Sequence, residues 1–254
     1  MTARHTNFSR ALLRNADGQS CDFNYAIFTD SILEFADFSK SCFLQADFEN
    51  ANLNYTKLAE TILIGCNLTN ASLTGASLER AVLELVDLRY AVLTDATFNA
   101  CKMNNCNLEH QTLQDICFTN NDCQGSLFTG TRFTKCNLSC SNLCNAKLGE
   151  VNWTNCNLRR VDFSGCHFFF GSTRSGLVGS PFPSHGTRTG FYTDDYDDHH
   201  FKRVEEIRKA SLQGCDLRGA KVDKADFYLV DLRDAQYDDK QKEHFEKCGA
   251  ILFD

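Results

Sequence analysis

The sequence predicts an all-β solenoid, a chain wound into short stacked sides, and three observations lead there. A large apolar residue recurs at every fifth position from Phe8 to Phe168, and 31 of those 33 positions hold Phe, Leu, Met or Trp. Two residues before each stands a small side chain, with Ala, Ser, Thr, Cys or Val at 30 of the 33. Both prolines, Pro181 and Pro183, lie outside the repeating stretch, as expected where backbone N–H groups pair with neighbours above and below. A five-residue step smears around a helix and carries a strand to its opposite face. The large residues stay on one side only if the chain turns a corner every few residues, which makes each repeat one side of a coil.

The elements follow in chain order. Residues 1–168 form the main solenoid. No helical cap is visible before Thr6 and Phe8, so the first coil is expected to offer an unpaired edge, and Gly18 in a large slot weakens it further. From Phe23 to Leu108 the repeat is regular. The residues between its inward positions mix both signs, as in Glu34, Lys40, Glu49, Lys57, Glu60 and Arg80, the pattern of a solvated wall. Gln111, Ile116 and Asn121 then take three consecutive small slots and Cys123 a large one. A buried Gln or Asn needs hydrogen-bond partners, so a local bulge or kink is expected there.

Eight of the 14 cysteines (Cys21, Cys66, Cys101, Cys106, Cys136, Cys156, Cys166 and Cys215) occupy the small slot, where they substitute for Ala. Buried reduced Cys behaves as a small hydrophobe and suits a reducing compartment. Cys136 and Cys156 stand four repeats apart and should stack. In the same register Cys140 and Cys144 point outward, so the three sulfurs of that segment do not converge on a metal.

The pattern stops after Phe168. Residues 169–209 hold both prolines and five of the 15 glycines, the composition of a loop. The repeat resumes as Leu212, Leu217, Val222, Phe227, Leu232 and Tyr237 with its phase shifted by one residue. That reads as an excursion from the coil with closing coils over 210–237. Within it, Phe191, Tyr192, Asp194, Asp195, Tyr196, Asp197, Asp198, His199 and His200 gather acids, aromatics and imidazoles, and Phe201, Val204 and Ile207 mark one face of a short helix. A loop of this length is usually functional or disordered, and these nine residues are the candidate partner-binding site. They carry no recognised cation-loop spacing, so no metal is assigned.

Residues 238–254 read as a cap or dimerisation tail. Asp238 or Asp239 starts a helix that continues through Lys247, and Gly249 stops it. Phe245, Ile251, Leu252 and Phe253 can close the last coil or pair with a second copy.

Function classes are excluded by what is missing. There is no glycine-rich phosphate loop, nucleophile elbow, His-Glu-x-x-His or zinc-ligand spacing. A filled solenoid offers no cleft to tune an acid–base pair, so the reading is a non-enzyme with no catalytic residues and no cofactor. The net charge is −7 and no basic patch stands out, which excludes direct nucleic-acid binding. No apolar stretch is long enough to span a membrane and no leader is visible, so the expected address is the cytoplasm.

The unit seen in Ala46-Asp47-Phe48, Ala51-Asn52-Leu53 and Cys156-Asn157-Leu158 resembles the pentapeptide repeat. The resemblance covers nearly the whole chain outside 169–209. It implies a right-handed, four-sided parallel β-helix of about 20 residues per coil, with C-terminal ends that form homodimers in some members. The closing stretch from Ala225 to Leu252 looks like that of cyanobacterial members. The expected role is an interaction scaffold for a protein partner. The alternative comes from the quinolone-resistance members, which resemble DNA and bind gyrase. B-DNA carries one charge per ~1.7 Å, whereas residues 1–168 carry 17 acids against 13 bases. That is thin for mimicry.

Overall fold

The structure, a computed structural model, describes residues 1–168 and 210–253. Parallel bridges join Thr2 to Asp22, Asn7 to Ile27, Leu12 to Ile32 and Asp17 to Asp37, and the same 20-residue step repeats up the chain. Each coil therefore has four sides of five residues, numbered here 1 to 4 from the sides that contain Thr2, Asn7, Leu12 and Asp17. About ten coils stacked at ~4.8 Å make a rod roughly 48 Å tall.

The corners explain the five-residue period. At the corner after Phe8, the Ala11 N–H donates to the Phe8 carbonyl at 3.0 Å and Arg10 has φ 59°. A positive φ at the third residue of a hydrogen-bonded turn is the type II signature. From His5 to Gly165, every fifth residue has positive φ except Tyr90. Most are not glycine, and a left-handed L-residue costs ~1–2 kcal/mol. Ladder bonds on either side of each corner over-determine that conformation: Arg10 N–H, for example, donates to the Thr29 carbonyl at 2.9 Å.

Between the corners the large residues point inward and stack on their counterparts one coil away. Phe8, Phe28 and Phe48 lie in one column with ring centroids 4.9 Å apart and planes within 13°. Phe23 and Phe43 stack the same way at 5.1 Å. Gly18 does not leave a void, because the Phe38 ring fills the space that a Cβ there would occupy.

The small slots do more than save space. Ser126 Oγ donates to the Met103 carbonyl at 2.6 Å and accepts from the Cys106 N–H at 3.0 Å, joining two coils at a corner. Thiols in the same slot aim at the equivalent carbonyl in the coil before: Cys66 to Phe43, Cys101 to Leu78, Cys106 to Leu83 and Cys166 to Leu143, at 2.8 to 2.9 Å. These cysteines fill the small slot in place of Ala and are in addition weak donors to the corners. All 14 thiols are free.

The irregularity expected around Gln111 appears as a break in the pairing and not as a bulge, because the 20-residue step is kept on both sides of it. Between Thr2 and His167 two rungs of the repeating series are missing, Val92 to Thr112 and Thr97 to Cys117. Above the break the chain forms β1 (Thr112–Gln114), β2 (Arg132–Thr134) and β3 (Asn152–Thr154), paired in that order on side 3. Asn121 and Cys123 are both buried, a larger side chain in a small slot beside a smaller one in a large slot. This pairing keeps the core volume nearly constant.

The stack does not stop at Phe168. Asn152 pairs with Ser211, Asn157 with Asp216, Asp162 with Lys221 and His167 with Asp226. The register jumps at that point, from His167 on side 2 to Ser211 on side 3, so the chain leaves and rejoins the ladder at one corner. The chain ends in helix α1 (Asp239–Cys248), stopped by Gly249 in the left-handed conformation at φ 77°, and Ile251 then pairs with Asp231 on side 3.

Candidate interaction site

The departure point of the excursion is built on the core. Phe168 is buried, with its ring 4.7 Å from that of Phe227 in the next coil, and Ala210 is buried on the returning side. Both ends are therefore fixed to rigid coils by apolar packing, and the ladder passes directly from His167 to Ser211. The candidate partner-binding residues Phe191, Tyr192, Asp194, Asp195, Tyr196, Asp197, Asp198, His199 and His200 lie outside the described residues.

On sides 1 and 4 of the same coils the wall carries paired charges. Lys221 Nζ lies 2.9 Å from Asp162 Oδ2, and Asp216 is held by Arg218 at 2.6 Å with Arg159 at 3.9 Å. The rest of the rod is similar. Arg4 meets Asp22, Arg14 meets Glu34, Lys57 meets Asp37 and Arg80 meets Glu60, each pair bridging adjacent coils. The Arg80 hydrogen bond holds the Glu60 carboxyl below its usual range, and Arg89 and Arg218 do the same for Asp87 and Asp216. Many acids that the sequence leaves as a mixed wall are thus neutralised by bases beside them or one coil away.

At the other candidate surface, the C-terminal tail, the residues part company. Phe245 is fully buried with its ring 4.7 Å from that of Phe227. Ile251 joins the ladder and Leu252 packs against the core, both partly buried. Phe253 remains 72% exposed. The sequence reading did not single out Gln241, which closes the end chemically. Its amide donates to the Leu217 and Ala220 carbonyls while its oxygen accepts from the Asp238 N–H. A Gln three residues past an Asp before a helix was the available signal.

The described residues offer little reactive chemistry. No group of His, Cys, Asp and Glu among them could hold a metal. Burial pushes the Cys66, Cys101 and Cys106 thiols up to about 12, the opposite of an activated nucleophile. No helix among them is long and apolar enough to cross a membrane.

Comparison with known structures agrees with this architecture. The chain is similar to QnrB1, a plasmid-mediated fluoroquinolone resistance protein, at 14% identity with a TM-score of 0.55, covering 100% of this chain and 99% of the other. It is also similar to HetL, a pentapeptide repeat protein involved in heterocyst differentiation regulation from the cyanobacterium Nostoc sp. strain PCC 7120. That match has 22% identity and a TM-score of 0.48, covering 92% of this chain and 87% of HetL. At 14% identity the likeness to QnrB1 speaks to fold alone. No curated protein matches the sequence. Family profiles described as a pentapeptide repeat region and as pentapeptide repeats match residues 36–113 and residues 2–34, 113–148, 136–169 and 208–236, so the chain belongs to the pentapeptide-repeat proteins.

Proposed function

We propose that this pentapeptide-repeat protein is a non-catalytic scaffold that presents residues 169–209 to a protein partner. One observation carries the reading: the chain leaves and rejoins the ladder at a single corner while the coils on either side stay in register. The coils close without this segment, and its composition of aromatics, acids and imidazoles over Phe191 to His200 suits recognition. The C-terminal tail serves as a cap in this reading, with Phe245 and Gln241 closing the last coil.

The test is affinity capture with mass spectrometry from the native source. It compares the intact chain with a version in which residues 171–200 are replaced by a short Gly/Ser linker. Circular dichroism should be the same for both, since Ser211 still pairs with Asn152. A partner held by the intact chain and lost from the variant supports the reading. A partner retained by both shifts the site to the walls.

A gyrase-binding DNA mimic has less support. Ion pairs between coils interrupt the acids of the wall along the described rod, and likeness to QnrB1 speaks to fold alone. Gyrase supercoiling in the presence of ciprofloxacin checks it directly, and the scaffold reading expects no protection.

A further inference from the structure

We infer that the seam between residues 81–100 and 101–120 is a one-sided hinge about which the two ends of the rod swing. The pairing shows where it opens. The missing rungs, Val92 to Thr112 and Thr97 to Cys117, lie on sides 3 and 4, whereas Val82 to Lys102 and Asp87 to Asn107 on sides 1 and 2 are present. Side 4 is weakened rather than opened, since the Phe98 and Ala100 N–H groups still donate to the Cys117 and Thr119 carbonyls at 3.3 and 2.9 Å. The N–H groups of Leu93, Asp95, Thr112 and Cys117, whose counterparts one coil away donate to the neighbouring coil, find no backbone acceptor among the described residues. Those counterparts include Leu73, Gly75 and Asn137, which bond to Val92, Thr94 and Ile116 at 2.8 to 3.0 Å.

The sequence supplies the wedge. Gln111 and Ile116 stand in the small slots of sides 3 and 4 in the upper coil. The Gln111 amide reaches the carbonyls of Leu88 and Ala91 below it, taking over the Ala91 acceptor that the Thr112 N–H would otherwise use. Ile116 is buried against the seam. On the lower coil Tyr90 is the corner whose φ is not positive, and Tyr90 and Val92 are 61% and 47% exposed. In a solenoid each coil contacts only its neighbours, so losing the bonds of side 3 and one of those on side 4 softens that interface alone. The intact flank acts as the spine.

Two measurements on the full chain decide it. Hydrogen exchange should show the amides of Leu93, Asp95, Thr112 and Cys117 exchanging on the order of tenfold or more faster than their equivalents one coil away, the signature of local opening. Distances between labels carried on genetically encoded p-azidophenylalanine, which avoids the native cysteines, then report motion. A pair at Phe35 and Lys135 spans the seam on the open corner, and a pair at Gln45 and Asn145 spans it on the spine. Both are five coils apart, roughly 24 Å. The hinge requires a broad distribution on the open corner and a narrow one on the spine. It also requires Gln111→Ser with Ile116→Ala, residue types that these slots hold elsewhere, to narrow the open-corner distribution and restore protection. Equally narrow distributions in the native chain overturn the hinge, and breadth that persists in the double variant overturns the wedge.

Discussion

The Gln241 side-chain amide donates to the Leu217 carbonyl across 2.7 Å, and Gln241, in the first turn of helix α1, is buried against the last coil. A second bond from the same nitrogen reaches the Ala220 carbonyl at 2.8 Å. These are the corner oxygens that another coil would otherwise satisfy. Gln111 treats Leu88 and Ala91 in the same way at the internal break. In both places a glutamine stands where the regular ladder ends.

Gln241→Ala leaves both carbonyls without that donor in a buried site, and the expected loss is about 1–3 kcal/mol. Phe245→Ala removes the aromatic plug against Phe227 and should cost about 3–5 kcal/mol. Urea denaturation followed by circular dichroism checks both. Phe253→Asp should change neither stability nor mass by light scattering, because Phe253 is exposed and the cap is made without it.

Gly75 and Gly65 occupy equivalent left-handed corners, with φ of 66° and 64°, but differ in what lies beneath them. A Cβ at Gly75 would meet the Tyr55 ring at 2.5 Å, whereas at Gly65 the nearest atom is Gln45 Cγ at 3.6 Å. Gly65→Ala should cost only the backbone term of about 1–2 kcal/mol. Gly75→Ala should cost more, and Tyr55→Ala in the same chain should recover the difference. A double-mutant cycle on thermal midpoints measures it.

Alkali should loosen the core. The Cys66, Cys101 and Cys106 thiols are raised by burial from 9.0 to about 12. A folded pKa above the unfolded one means stability that is whole below pH 9 and is lost as pH rises towards 12. The thermal midpoint should fall through that window, and Cys→Ala at the three positions should flatten the fall.

Acid acts in the opposite direction. Glu60, Asp87 and Asp216 are held low by Arg80, Arg89 and Arg218, so the stabilisation is present above the ordinary carboxylate range and fades as pH drops through the lowered values. The pairs are solvent-exposed, so the midpoint should decline gently rather than collapse, and added salt should blunt the decline.

Thiol reactivity should follow the register. Cys140 is exposed, while Cys66, Cys101, Cys106, Cys123, Cys136, Cys156, Cys166, Cys215 and Cys248 are buried. Brief maleimide treatment with peptide mapping should modify Cys140 first and leave those nine until the chain unfolds.

Much of this was legible from spacing. The unbroken series from Phe23 to Leu108 dictated inward large residues and a corner every five, because no other geometry keeps them on one side. Gln111, Ile116 and Asn121 announced a disturbance, since their side chains exceed the slot, and the resumption at Leu212 announced a return to the coil. The one-residue offset of that return fixed which residues point inward, while the pairing of Ser211 with Asn152 came from the structure.

Tertiary structure alone decided the rest, because these are questions of which atoms meet across stacked coils. Spacing cannot say that the break opens side 3 and weakens side 4 while sides 1 and 2 hold, that buried thiols donate to corner carbonyls, or that wall acids find bases one coil away. Nor can it separate Phe245, sealed beneath the cap, from Phe253, left in water. A five-residue period fixes the direction in which a side chain points, and only the stacked neighbour fixes what it touches.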